Sequence, residues 1–188
     1  KGASEESLGK ALAGRRHEAI IGTKISPSNA YPATVVEHCE ASLRRLGTDY
    51  IDIYMLHWPL TSVSVSHFTD DVSIISNPPS AAEAFEALMK LKDQGKIRHI
   101  GVSNFGVERL REALHYADIA VNELPYSLLT RAIELEVLPY CRAKGVGVIG
   151  YMTLLQGILA DIYPTLADVP AWQRRTRHFN SHENDLCR

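Results

Sequence analysis

The run T-V-V-E-H-C-E-A-S-L-R-R-L-G-T-D-Y-I-D-I-Y-M-L-H-W-P (34–59) spells out one helix followed by one strand. Thr34, with Glu37 three residues later, has the form of a capping box, in which the threonine caps the helix start and the glutamate reaches back to it. Val35, Cys39, Leu43 and Leu46 then recur at helical spacing and define one apolar face. Gly47 supplies a left-handed stop. Tyr50 to Leu56 is rich in β-branched and aromatic residues over the length of a strand.

The same grammar repeats on both sides. Upstream, a helix over 4–12 precedes a strand over 19–23. Downstream, Ser80 and Glu83 form a second capping box, and Ala81, Ala84, Phe85, Leu88 and Leu91 make an apolar stripe that ends at Gly95. A strand follows over 97–102. A helix over 107–116 then leads to a strand over 119–122. A further helix over 133–143, stopped by Gly145, leads to a strand over 146–149. Five strands, each preceded by a helix, predict an α/β fold with a parallel sheet. An open doubly wound sheet and a closed barrel both satisfy this periodicity. The chain has no G-x-G-x-x-G run, which counts against the dinucleotide-binding open sheet. The stretch 58–79 breaks the rhythm, with only a short strand expected at 72–75; loops of that length usually cover a site.

Composition narrows the function class. The 188 residues are 45% hydrophobic and 22% charged, which suits a single globular domain with a sizeable core. With 20 basic and 22 acidic residues there is no electrostatic footprint for nucleic acid or an anionic membrane. No apolar stretch is long enough to span a bilayer. Cys39, Cys141 and Cys187 are odd in number and far apart, and fit reduced thiols in a cytoplasmic protein better than a disulfide frame. Residues 1–160 carry the repeating units, and 161–188 is a polar tail expected to be irregular. Its basic run, Gln173 to His178, reads as a solvated surface. His178, His182 and Cys187 match no standard zinc spacing, so no metal is expected.

In parallel β/α folds, ligands collect at the carboxyl ends of the strands. The expected strands close on Thr23-Lys24, His57-Trp58, Ser103-Asn104, Asn122-Glu123 and Gly150-Tyr151. Each has an ordinary reading: Lys24 as a snorkelling lysine, Ser103 or Asn104 as a helix cap, Tyr151 as a core aromatic. Their recurrence at one edge is what makes them a candidate site.

Three motifs carry a resemblance. G-T-D-Y-I-D-I-Y-M-L-H-W-P (47–59), G-K-I-R-H-I-G-V-S-N-F (95–105) and V-N-E-L-P-Y-S-L-L (121–129) resemble aldo-keto reductase signatures. S-E-E-S-L-G-K-A-L (4–12) and I-I-G-T-K-I (20–25) resemble the same family, in the same order, and the likeness runs to about residue 160. The resemblance implies a partial (β/α)8 barrel of about five parallel strands, without the family's first two strands and its last. It implies reduction of a small aldehyde or ketone with NADP(H), or less often NAD(H). In that scheme Lys24 lowers the pKa of a tyrosine acid, His57 orients the carbonyl and Trp58 lines the substrate pocket. Ser103 and Asn104 grip the nicotinamide carboxamide, Glu123 and Leu154 also meet the cofactor, and the nicotinamide stacks on Tyr151.

The chain departs from the family pattern at three places. Glu123 stands where glutamine is commoner, and a carboxylate accepts but cannot donate to the carboxamide. Met152-Thr153 stands where Ser-Pro is usual. The family's aspartate and tyrosine acid precede the S-E-E-S-L helix, so the chain is expected to be a fragment with little activity alone. Such a fragment should self-associate through open barrel edges. The alternative is a non-catalytic, cofactor-sensing binding protein on the same fold. A barrel with unrelated chemistry is the weaker third reading.

Overall fold

In the computed structural model, which describes residues 2–174, five strands pair in chain order. They are β1 (Gly22–Ile25), β2 (Ile51–Leu56), β3 (Ile97–Ser103), β4 (Ile119–Pro125) and β5 (Gly147–Tyr151). Every neighbouring pair is parallel. A doubly wound sheet reverses its strand order once, whereas here each crossover steps the same way, as in the wall of a barrel. Among the described residues, β1 and β5 each have a neighbour on one side only.

The helices are α1 (Ala3–Ala11), α2 (Pro32–Leu46), α3 (Ser62–Val65), α4 (Val72–Ser76), α5 (Ala81–Asp93), α6 (Val107–Tyr116), α7 (Val137–Lys144) and α8 (Ala171–Arg174). The core lies between the main helices and the outer face of the sheet. Val35, Cys39, Leu43 and Leu46 of α2, Ala84, Phe85, Leu88 and Leu91 of α5, and Leu110 and Ala113 of α6 are all buried. They join one cluster with Ile100 and Val102 of β3 and Ile119 of β4. Burial pushes the Cys39 thiol up to about 11, so it packs as a small apolar group. The α1 helix is attached by polar contacts instead: Glu5 accepts from Thr23 Oγ1 of β1 at 2.7 Å and from Arg45 Nε of α2 at 2.6 Å.

Several local expectations give way to tertiary context. The α2 helix starts at Pro32 with Tyr31 as its cap, two residues before the anticipated Thr34. Proline's fixed φ suits the first helical position, so the helix begins there. Ser80 does cap α5, but its side chain makes no capping hydrogen bond. Gly47 ends α2 with φ 64°, as anticipated. Residues 72–75 form α4 and not a strand. Asp71 Oδ1 accepts from Ser73 N at 2.9 Å and so caps a helical turn, and among the described residues no strand pairs with this segment. The helix over 133–143 is split into a 3-10 turn at Ala132–Glu134 and α7. Pro139 lacks the N–H that a continuous helix would need there, and the restart places it in the first turn of α7. The first strand lies later than its expected span, because Arg16–Glu18 form a 3-10 turn and the ladder with β2 covers Gly22 to Ile25. The fourth runs on to Pro125, which pairs with Tyr151. Beyond β5, residues 155–160 and 166–168 form 3-10 turns, and Gln173 of α8 accepts from Tyr163 Oη at 3.0 Å.

A charged clasp closes the amino-terminal end of the sheet. Asp52 of β2 is almost wholly buried and accepts from Ile21 N at 2.9 Å, Arg16 Nη2 at 2.6 Å and Arg98 Nη1 at 3.0 Å. The two guanidiniums also lie over the Tyr50 ring, at 4.1 and 3.8 Å from its centroid. Burial alone would raise the Asp52 pKa, but these hydrogen bonds and charges outweigh it and hold it below the usual carboxylate range. Its contribution to stability is therefore present at neutral pH and lost as the pH falls towards that depressed value. Asp52→Asn should cost about 2 kcal/mol at pH 7, read from the urea midpoint, and the deficit should shrink in acid. Tyr54 is fully buried and its hydroxyl has no hydrogen-bond partner among the described residues. Tyr54→Phe should leave stability unchanged or raise it by up to about 1 kcal/mol in the same assay.

Candidate active site

Side chains alternate along a strand, so the register decides which residues share the concave face. Lys24 pairs with Met55, Met55 with Gly101, Ser103 with Glu123, and Glu123 with Ile149. His57 and Tyr151 fall on that face two residues beyond Met55 and Ile149. Lys24, His57, Ser103, Glu123 and Tyr151 therefore all belong to one bowl. Asp52 and Tyr54 alternate to the helix side.

One ion pair crosses the bowl. Lys24 Nζ lies 2.9 Å from Glu123 Oε2, joining β1 to β4 over the two strands between them. Both side chains are largely shielded, at 25% and 15% exposure, so solvent weakens this pair less than a surface pair. Glu123 was expected at the cofactor; the structure places its carboxylate on the lysine. The longer β4 explains this, since Glu123 lies within the strand and at the level of Ser103.

Asn104 organises the rim. Its φ of 64° is left-handed, a conformation that asparagine tolerates better than most residues. Its amide donates to His57 O at 3.1 Å and Ser103 Oγ at 3.0 Å, and its Oδ1 accepts from Tyr151 Oη at 2.7 Å. Ser103 Oγ donates to Glu123 O at 3.0 Å, and Asn104 N donates to the same carbonyl at 2.9 Å. One network thus ties the carboxyl ends of β2, β3, β4 and β5. Asn122, on the opposite face, receives Phe105 N and donates to Phe105 O at 2.8 Å, which braces the turn after β3.

His57 sits beside this network with its pKa lowered, first by burial and then by the Lys24 ammonium, while Glu123 pulls the other way. Burial and the ammonium both favour the neutral imidazole, which has one ring N–H to donate. Phe68, just after α3, packs on His57 with ring centroids 5.3 Å apart. A cavity of about 880 Å³ runs from Lys24 and His57, past Phe68 and Ile74, along the outer edge of β1 to Arg45 of α2. Trp58, expected to line the substrate pocket, instead faces His67 with centroids 6.0 Å apart and is not among the residues lining this cavity. Leu154, expected at the cofactor, is exposed at the start of the 3-10 turn after β5. Met152 before it has φ 57°, so the chain turns sharply as soon as β5 ends.

Sequence reasoning missed Phe68 and the Lys24–Glu123 pairing. Opposite charges at two strand ends were a usable signal for the pair; Phe68, in a segment without clear periodicity, gave none. His178, His182 and Cys187 lie outside the described residues. No helix among the described residues is long and apolar enough to cross a membrane.

Comparison with known proteins is consistent with this geometry. The family model described as "Aldo/keto reductase family" matches residues 1–187. The NADH-specific methylglyoxal reductase of Escherichia coli (strain K12) is 38% identical over 166 residues, covering 88% of this chain and 47% of that protein. An aldo/keto reductase from Klebsiella pneumoniae, solved with NADP and acetate, superposes with a TM-score of 0.70 at 36% identity, over 83% of this chain and 50% of that one. The glycerol dehydrogenase of Gluconobacter oxydans gives a TM-score of 0.79 at 28% identity, over 98% and 56%. The chain thus spans about half the length of the relatives it matches.

The charges around His57 make its titration a direct probe of the bowl. In a histidine NMR titration, His57 should ionise below the ordinary range. Lys24→Met should raise its pKa and Glu123→Gln should lower it further. Shifts of the opposite sign would mean that the three groups do not share a site.

Proposed function

Given that this chain belongs to the aldo/keto reductase family, we propose that its bowl binds the nicotinamide end of NADP(H), or of NAD(H), and serves the reduction of a small aldehyde or ketone. The observation that carries this reading is the convergence of Lys24, His57, Ser103, Glu123 and Tyr151 on one concave face, with Asn104 at its rim. The relatives' names favour a short, polar carbonyl substrate, methylglyoxal among them.

The donor set suits a carboxamide, with one exchange. Asn104 Oδ1 holds a single hydrogen bond and keeps an acceptor lone pair, and Glu123 Oε1 can accept as well. Both can therefore receive the carboxamide N–H₂. Its carbonyl oxygen needs a donor, which Ser103 or Asn104 supplies by giving up one of its present hydrogen bonds. Tyr151, half-buried at the end of β5, offers the ring for stacking, and Leu154 adds an exposed apolar contact beyond it. When bound, the dihydronicotinamide supplies the hydride.

The protein's own part is polarisation and alignment. Neutral His57 donates its ring N–H to the substrate carbonyl oxygen, and Phe68 keeps the imidazole in place. Phe68 and Ile74 give the substrate an apolar wall, and Trp58 lies next to His57 in the same segment. The Lys24 ammonium lowers the pKa of a proton donor placed beside it. Neither strand phenol fills that place: Tyr151 Oη donates to Asn104, and Tyr54 lies on the helix side. We therefore propose that the 188-residue chain taken alone turns over slowly even where it binds cofactor. We propose too that it self-associates through the edges of β1 and β5, which have no neighbouring strand among the described residues; sedimentation at several concentrations checks this.

The test is a titration followed by quench of NADPH fluorescence, with NADPH oxidation by methylglyoxal read alongside. Saturable binding is expected, weakened about fivefold by Tyr151→Ala through the lost stacking. Whatever turnover is present should fall about 10²-fold in His57→Ala, with cofactor affinity unchanged. Absence of binding to either nicotinamide cofactor would sink the reading. Tight binding with no turnover in any longer form that carries this segment would make the protein a cofactor-sensing binder.

A further inference from the structure

We propose that Asn122 is the positioning residue of Asn104: from the helix side of the sheet, its amide fixes the turn that holds Asn104 at the rim. The proposal rests on the nicotinamide-binding reading, since it assigns a role behind the same site, but the grip on the turn can be tested without cofactor.

Asn104 has a left-handed backbone, with φ 64°, which a residue other than glycine keeps only where its surroundings over-determine it. Two consecutive residues of β4 do so. Glu123 O receives Asn104 N at 2.9 Å. Asn122 takes the next residue along: its Nδ2 donates to Phe105 O at 2.8 Å, and its Oδ1 accepts from Phe105 N at 3.4 Å. Both backbone groups of Phe105 thus meet the two ends of one amide. A carboxylate, with no donor, cannot reproduce that pairing.

Asn122 is fully buried and lies on the face of β4 opposite Glu123, so it touches nothing bound in the bowl. Its strand is paired on both sides. Behind it stands Cys141 of α7, whose thiol burial pushes up while the Asn122 amide pulls the other way. Asn122 is therefore wedged between a helix and the turn. What it holds still matters at the rim, because the Asn104 side chain reaches His57 O, Ser103 Oγ and Tyr151 Oη. A shift of the turn would move the groups that meet the carboxamide and release the ring on which the nicotinamide stacks.

Amide hydrogen exchange read by NMR tests the grip. In the unaltered chain, Phe105 N should exchange as slowly as the amides of β3, although it lies beyond the end of that strand. Fast exchange there would overturn the proposal whether or not any variant folds. In Asn122→Ala, Asn104 N and Phe105 N should exchange about tenfold faster, the scale of a lost buried hydrogen bond. Ile53 N, bonded to Ile21 O near the other end of the sheet, should be unchanged. Far-ultraviolet circular dichroism and the urea midpoint confirm that each variant is folded.

In the fluorescence titration, Asn122→Ala should raise the Kd for NADPH about fivefold, although the side chain removed lies outside the bowl. Asp52→Asn, which weakens the sheet from its other end, should leave that Kd unchanged, and this separates positioning from a general loss of stability. Unchanged exchange at Asn104 and Phe105 in the folded alanine variant would overturn the proposal. So would an equal rise in Kd in both variants, or none in either when the unaltered chain binds NADPH. If exchange responds as expected but the unaltered chain binds no nicotinamide cofactor, the grip on the turn stands and the reductase reading fails.

Discussion

Parallel pairing in chain order is the constraint from which the site follows. It sends the carboxyl end of every strand to the same rim, and each helix must return the chain to the other end. Residues far apart in sequence are then neighbours by register alone. Lys24, His57, Ser103, Glu123 and Tyr151 need no special loop to meet. They need only the right phase on their strands, and the alternation of β-structure provides it.

The two ends of the sheet do different work. At the amino-terminal end, Asp52 gathers a backbone N–H and two guanidiniums from within the protein. At the carboxyl end, the network built on Asn104 leaves acceptor capacity on Asn104 Oδ1 and Glu123 Oε1. A buried polar cluster that is complete holds a fold together, and one with capacity in reserve can receive a ligand.

Much of this was legible in the chain itself. The apolar stripes of α2 and α5, the stop at Gly47 and all five strands follow from periodicity and turn chemistry. So does the set of polar residues near the strand ends. What was not legible depended on neighbours. Local sequence favours a cap at Thr34, yet Pro32 starts the helix earlier because its φ is already set. Val72 to Ile75 has strand-like composition, but a strand needs a partner and Asp71 offers a cap instead. The extension of β4 to Pro125 depends on β5 lying alongside, and it carries Glu123 to the lysine. Phe68 lies between α3 and α4, and its contact with His57 depends on the path of that long segment rather than on any local pattern.

The clasp around Asp52 also shapes how this protein can diverge. It fastens the segment before β1, together with β2 and β3, from the end remote from the bowl. Changes among rim side chains therefore leave the fastening intact. Variants of such a chain can therefore exchange side chains at the rim with little loss of thermal tolerance.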